Sequence, residues 1–268
     1  MLTPDPAFMR ILFINLARAA DRRRNMERQL AAFGLDFERL EATDGQNIST
    51  ADRALANDEK RRWITPYPLS DNEIGCWLSH RRALQRIAEG EDAMAVVIED
   101  DAELTPDFPQ VIAAVEQQQP DFDFIFLHRK FKKGEQFALC KPLLPDLGLG
   151  RVGPAHMGAI GYVVSRRGAR AFLAYAPRFA HALDKEIHRY WANGLDIYGL
   201  ERPAVTHADR GHSFIEETRE QDNPAARPRY PGADSLAWRL ARAYTRFSDS
   251  IRKRLAWPAY VRKGKWSQ

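Results

Sequence analysis

The chain has 268 residues, of which 44% are apolar and 28% charged. These values exclude collagen, a long coiled coil and wholesale disorder, and the length suits one large domain or two small ones around a buried core. The net charge of +4 hides an asymmetry: residues 227–268 hold eleven Lys or Arg against Asp234 and Asp249, a net +9, which leaves −5 on the rest and marks the tail as anion-seeking.

In chain order, ILFINL at 11–16 is a short apolar run that ends in polar residues, the pattern of a buried strand. Met26, Leu30 and Phe33 then recur at helical spacing from Ala19 to Phe33, with Gly34 as a stop. Asp36 to Leu40 reads as a second strand, closed by the turn-like Glu41-Ala42-Thr43-Asp44-Gly45. Strand, helix and strand at this pace form a βαβ unit and predict a parallel sheet. Residues 46–72 read as a loop with one short helix. Ser70 stands three residues before Glu73, the capping-box spacing, and predicts a helix from Asp71 to Ala88 that ends near Gly90.

Ala93 to Ile98 is a further buried strand, and it runs into three carboxylates, Glu99-Asp100-Asp101. A helix over Thr105 to Gln119 and a strand over Phe122 to Leu127 follow. Residues 129–156 mix Lys, Gly and Pro without a period and read as a long functional loop. Ala159 to Val164 is a strand, Arg166 to Tyr175 and Leu183 to Ala192 are helices, and Leu195 to Tyr198 and Ala204 to Thr206 are short strands. Residues 208–234 have few apolar side chains and suggest a mobile segment. Helical spacing returns in Leu236, Leu240, Ala243, Phe247, Ile251 and Leu255. No run reaches the roughly 18 apolar residues of a spanning helix. The opening MLTPDPAFMR is unlike a secretory signal, and Cys76 and Cys140 make neither a disulfide framework nor a zinc site. The chain therefore reads as cytoplasmic.

The strongest local signal is the strand that ends in three acids, because open α/β sheets place ligands at strand tips. Adjacent carboxylates repel one another unless a cation or basic partners compensate, and hard divalent ions prefer oxygen ligands. The plainer alternative is that one acid caps the turn and the others are solvated. In EIGCWLSH at 73–80, Ile74, Trp77 and Leu78 are expected to pack, with His80 a satisfied core or boundary histidine. In HALDKEIHRYW at 181–191, Asp184 is either a base or a helix cap, and His181 with His188 lacks the i, i+4 zinc spacing. Dinucleotide and Walker fingerprints are absent from the sequence.

Together these segments resemble glycosyltransferase family 25, the lipopolysaccharide (lipooligosaccharide) galactosyltransferases. The shared features are the ILFINL strand, Arg22-Arg23-Arg24, Ala42-Thr43-Asp44-Gly45, LSDNEIGCWLSH at 69–80, VVIEDD at 96–101, GAIGYVVSRRGARAFL at 158–173 and Leu183-Asp184, in order over residues 10–207. The resemblance implies a GT-A-like, Rossmann-type mixed sheet flanked by helices over 1–207, with 208–268 a variable segment ending in a basic helical tail. It further implies an inverting transfer of a hexose, galactose first, from a UDP-sugar to a lipopolysaccharide or lipooligosaccharide glycan, with Mn²⁺ or Mg²⁺. Glu99 and Asp101, two apart on extended backbone, would share a face and hold the metal with His207. Asp100 would point the other way. Asp184 is the expected catalytic base, and Asn15, Leu16, Arg22, Asp44, Gly45 and Asp100 are expected around the donor. Arg18 stands where the family commonly has lysine. Acceptor specificity is expected in 46–68 and 129–156.

The tail over 236–266 mixes Arg and Lys with Trp238, Tyr244, Phe247, Trp257, Tyr260 and Trp266. Such a helix suits an anionic membrane surface, which would make the enzyme peripheral on the inner face of the cytoplasmic membrane. Nucleic acid is disfavoured because no recognition motif accompanies the charge. A solvated basic helix is the plain alternative. The competing function is a catalytically silent relative that binds glycans or scaffolds at the membrane.

Overall fold

The computed structural model describes residues 9–118, 121–129, 136–153, 158–208 and 228–264. Strands β1 (Ile11–Asn15), β2 (Glu38–Glu41), β3 (Met94–Glu99), β5 (Phe124–Phe126), β6 (Phe137–Leu144), β7 (Leu147–Val152), β8 (Gly161–Ser165) and β9 (Ile197–Leu200) form one sheet in the order β2-β1-β3-β8-β5-β9-β7-β6. A separate two-stranded sheet pairs β4 (Ala102–Leu104) with β10 (Val205–His207). Helices are α1 (Ala20–Ala32), α2 (Thr50–Arg53), α3 (Asp58–Arg61), α4 (Asp71–Glu89), α5 (Phe108–Glu116), α6 (Arg166–Tyr175), α7 (Leu183–Ile187), α8 (Tyr190–Asn193) and α9 (Leu236–Gly264).

Side-chain alternation along the strands sorts the core into two layers. Leu12 and Ile14 of β1, Ala95 and Val97 of β3, and Phe124 and Phe126 of β5 join the cluster under α4 and α6. Ile11 and Phe13, Val96 and Ile98, and Ile125 face the opposite cluster with Met26 and Leu30 of α1 and Val111 and Ile112 of α5. Trp77 of α4 anchors the first layer, stacked on Phe172 at 5.6 Å and on Phe179 at 4.5 Å between ring centroids. Its indole N–H donates to the His181 carbonyl at 2.8 Å.

The expected α/β architecture with a mixed sheet is present, and the βαβ unit read at its start is parallel as expected. β1 pairs in parallel with β2 and β3, and β5 with β9, whereas β8 runs antiparallel between β3 and β5. The Ser70–Glu73 capping box forms as the spacing requires, with Ser70 Oγ accepting from Glu73 N at 3.2 Å and Glu73 Oε2 from Ser70 N at 2.9 Å.

Several expectations need correction. The loop at 46–72 holds three short helical turns, at Gly45–Asn47, α2 and α3, capped by Asp44, Ser49 and Asn57. The helix expected over Leu183 to Ala192 breaks into α7 and α8 at His188. The described part of the expected loop 129–156 contains the β6–β7 hairpin at the sheet edge. Its glycines are packing gaps: a Cβ on Gly148 would lie 2.2 Å from Leu139 Cδ1, and one on Gly150 would lie 2.5 Å from Phe137 Cζ. Short β4, inside the stretch before the expected helix at Thr105, had no sequence signal. Of the segment expected to be mobile, residues 209–227 lie outside the described residues.

Replacing Trp77 with Ala removes two stacking contacts and an indole hydrogen bond, and should cost about 3–5 kcal/mol of stability. Urea unfolding of the purified variant checks this, with a midpoint close to wild type as the contrary result.

Candidate active site

The chain leaves β1 toward β2 on one side through α1, then crosses to β3 on the other side through α4, which packs on the opposite face. The order therefore reverses between β1 and β3, and the crevice outside their carboxyl ends is the topological switch point where open α/β sheets bind ligands. Registers carry the acids there: Ile14 pairs with Glu99 in parallel, so Asn15 lies beside Asp100. On the other side Asn15 is aligned with Glu41, and its carbonyl accepts from Ala42 N at 2.9 Å, which starts the Ala42–Gly45 turn. Among the described residues, the cleft is lined by Leu16, Arg18, Arg22, Gly45, Cys76 and the three acids, with Asn72, Ser79 and His80 from α4.

The three carboxyls splay toward three different supports. Glu99 turns to α4, where His80 Nε2 lies 2.9 Å from its Oε1 and His80 Nδ1 lies 2.9 Å from the Tyr162 hydroxyl. Burial pushes Glu99 upward, but the His80 hydrogen bond and the charges of His80, His207 and His128 outweigh it, so the net shift is downward. Burial and then the charge of Glu99 raise the Tyr162 phenol well above its usual value, so it keeps its proton. His80 thus bridges the Tyr162 hydroxyl and the Glu99 carboxylate through its two ring nitrogens.

Asp100 turns to the opposite wall, accepting from Asn15 Nδ2 at 2.8 Å and from Arg22 at 3.4 Å. Asn15 is itself held by Arg39 Nε at 3.0 Å, so it sits behind Asp100 as a buried support. Burial raises the Asp100 carboxyl despite the Asn15 bond and the Arg22 charge.

Asp101 points toward β10. The β4–β10 register sets His207 opposite Ala102, and His207 Nδ1 lies 3.9 Å from Asp101 Oδ2. Asp101 Oδ1 is buried with no hydrogen-bond partner among the described residues. Burial, then the charges of Glu99 and Asp100, push this carboxyl up to about 7. Extended backbone stops at Glu99, so strand alternation does not govern where Asp101 points; the acids still lie close enough for the Glu99 charge to act on Asp101.

Asp184 stands outside the lining residues, near the start of α7. Its Oδ2 accepts from Gly158 N at 3.2 Å and its Oδ1 from Lys185 N at 2.8 Å. Its charge reaches the cleft, since after burial and Glu99 it is the next contribution that raises the Cys76 thiol. Asp44 pairs with Arg18 and accepts from Gln46 N at 3.0 Å. Burial opposes ionisation of Asp44, but these contacts hold its carboxyl below the usual range.

As a metal site the donors divide. The ligand atoms of Cys76, His80 and Glu99 lie within 4.8 Å of one another. Both ring nitrogens of His80 are occupied, however, and the Cys76 thiol is raised, so this trio does not fit a cation as it stands. On the oxygen-rich side, the buried Asp101 Oδ1, unpartnered among the described residues, is a hard oxygen donor of the kind a divalent cation prefers, with Glu99 lining the same cleft. Sequence reasoning treated His80 as bland, and it is indeed buried and satisfied, but it also aims Glu99. The signal was the i, i+4, i+8 spacing of Asn72, Cys76 and His80, which puts them on one face of α4.

The model of a family described as glycosyltransferase family 25 (LPS biosynthesis protein) matches residues 8–187, and the chain belongs to that family. Human procollagen galactosyltransferase 2 is 30% identical over 183 residues, which cover 65% of this chain and 29% of that protein. A glycosyltransferase 25 family member of Drosophila pseudoobscura pseudoobscura is 32% identical over 187 residues, 66% of this chain and 28% of its own length. A bovine protein named probable inactive glycosyltransferase 25 family member 3 is 30% identical over 178 residues, 63% of this chain and 29% of its own. The chain thus spans under a third of each of these relatives. A solved glycosyltransferase involved in the glycosylation of the major capsid of PBCV-1 aligns with a TM-score of 0.40 at 12% identity, over 79% of this chain and 98% of that one.

The raised Asp101 carboxyl has a stability consequence. Folded Asp101 keeps its proton up to about pH 7, while the unfolded group loses it near its ordinary value of 3.8. The folded state therefore binds the extra proton between those values, and the metal-free protein loses stability as pH rises through that window. Asp101→Asn removes the effect. It should stabilise the metal-free protein by on the order of 1–3 kcal/mol at about pH 8 and by little at about pH 4. Thermal melts at the two pH values in chelator check the sign.

Proposed function

We propose that this member of glycosyltransferase family 25 transfers a hexose, galactose first, from a UDP-sugar to a hydroxyl of a lipopolysaccharide or lipooligosaccharide glycan, with inversion. The observation that carries the reading is the convergence of Glu99, Asp100 and Asp101 on the switch-point crevice, with one buried carboxylate oxygen of Asp101 unpartnered among the described residues. The family description names LPS biosynthesis, and several relatives are named galactosyltransferases.

In the proposed reaction the bond from the anomeric carbon to the diphosphate breaks, and its electron pair leaves on UDP. The acceptor oxygen attacks the opposite face of that carbon, and its proton passes to the Asp184 carboxylate. The Gly158 N–H holds Asp184 Oδ2 and fixes the carboxylate's orientation. Glu99 and Asp101, with His207 beside Asp101, would hold Mn²⁺ or Mg²⁺. Such an ion, when bound, neutralises the charge that grows on the diphosphate. Arg18 and Arg22 line the same cleft and offer positive charge to phosphate oxygens, while Leu16 and Gly45 leave an apolar, close-approach wall for the nucleoside. Asp44 serves by holding Arg18, and Asn15 by holding Asp100.

The silent-relative reading has one observation in its favour: the similar bovine protein is named as probably inactive. One experiment separates the two: UDP release by the purified chain from a panel of UDP-sugars, with Mn²⁺ and then with EDTA. Slow hydrolysis of one donor, abolished by EDTA, is expected. Asp184→Asn should lower kcat by about 10²–10⁴-fold with little change in donor KM. Turnover that survives EDTA would remove the metal from the reaction. Failure to bind UDP in calorimetry would favour the silent relative.

A further inference from the structure

Helix α9 is 29 residues long and docks by one face only. The indole N–H of Trp238 donates to the Arg62 carbonyl at 2.6 Å, and Arg242 Nε donates to the Ile64 carbonyl at 3.2 Å. Further along, Asp249 accepts two bonds from Arg189 and one from Trp191, and Tyr260 stacks on Tyr190 at 4.0 Å between centroids. At 100° per residue these positions fall on one side of the helix.

The opposite side carries Leu236, Leu240, Tyr244, Phe247, Ile251 and Leu255, between 40% and 75% exposed. Of the eight large apolar side chains exposed among the described residues, these are six, and a seventh is Trp63 beside α3. The ridge is therefore a concentrated feature and not the ordinary scatter of surface apolar groups. Exposed Arg239, Arg246, Arg252 and Arg254 border it. Lys60, Trp63, Arg246 and Arg252 also line a depression between α3 and α9, together with Asp249 and the Arg189 that neutralises it.

Charge decides the occupant. A second copy of the chain would bring arginine borders against arginine borders, because the one acid of α9, Asp249, is engaged by Arg189. An anionic bilayer neutralises the borders and accepts the ridge at the same time. No described helix is long and apolar enough to cross a membrane. We infer that α9 lies flat on an anionic lipid surface, with its apolar ridge in the headgroup–acyl boundary and lipid phosphates against the Lys60–Arg246–Arg252 depression. This surface is separate from the acidic cleft, and the inference does not rest on the reading of that cleft.

Co-sedimentation of the full chain with two kinds of vesicle tests it. Binding to vesicles of phosphatidylglycerol mixed with phosphatidylcholine should exceed binding to phosphatidylcholine alone by about tenfold or more, and should fall with salt. That comparison uses the unaltered protein and decides by itself. The combined change Leu240→Gln, Phe247→Gln and Leu255→Gln should weaken binding by about tenfold or more, since each removes apolar area from the boundary. Arg246→Glu with Arg252→Glu should weaken it by a similar factor and flatten the salt dependence. Thermal melts like wild type confirm that these exposed changes leave the fold intact. Equal binding to both vesicle types, or no binding to either, overturns the inference. So does a soluble dimer that the apolar variant disperses while vesicles fail to compete.

Discussion

Helix α4 lies against the Thr43–Gly45 turn with no space for a methyl group between them. A Cβ on Gly75 would stand 2.7 Å from the Thr43 carbonyl oxygen, and one on Gly45 would stand 2.1 Å from Asn72 Oδ1. Ser79 Oγ completes the seam, accepting from Thr43 N at 2.8 Å and donating to the Gly75 carbonyl at 2.7 Å. Everything at the cleft depends on this approach. It sets the height of α4 above the sheet and thereby brings His80 within hydrogen-bond reach of both Tyr162 and Glu99. It also holds the turn after β2 as a wall facing the acids. A bulkier residue at either glycine would lift the helix and separate the two supports at once.

The three consecutive acids illustrate how one strand tip can serve three neighbours. Each carboxyl is drawn to a different wall, Glu99 to α4, Asp100 to α1 and β1, Asp101 to β10, and the electrostatics follow the partner. A histidine bonded on both sides lowers Glu99, whereas burial dominates at Asp100 and Asp101. The cleft thus has an arginine rim on the α1 side and an acidic floor. That polarity suits a ligand with a phosphate end and a counter-ion.

Much of this was legible in the residues. The capping box, the apolar run before Glu99-Asp100-Asp101 and the ILFINL strand are local signals whose physics does not depend on distant contacts, and each formed where expected. The β6–β7 hairpin was not legible, because Gly148 and Gly150 look like loop residues until Leu139 and Phe137 are seen to fill the space above them. The antiparallel insertion of β8 between β3 and β5 was equally hidden, since an all-apolar strand carries no mark of its direction. Within the site, the residues alone marked the three acids that line the cleft, whereas Asp184 stands outside that lining. The sequence could not show that Asn15 works from behind Asp100, because that contact joins residues 85 apart through strand register.

The end of α9 joins the molecule in an unusual way. The Tyr260 hydroxyl donates to the Ile197 carbonyl at 2.6 Å and accepts from the Ile197 N–H at 3.2 Å, so a phenol takes both backbone bonds that a neighbouring strand would otherwise offer. Next to it Arg151 lies 4.0 Å from the Tyr198 ring centre and 4.4 Å from that of Tyr260, and shares Asp196 with Lys263. The stretch matched by the family ends at residue 187, yet β9, an interior strand of the sheet, and the helix that secures it both come later. The matched stretch is therefore shorter than the packed sheet that the chain builds. A chain cut at residue 187 would lose that interior strand, the phenol that binds its backbone and the Arg151–Asp196–Lys263 cluster together.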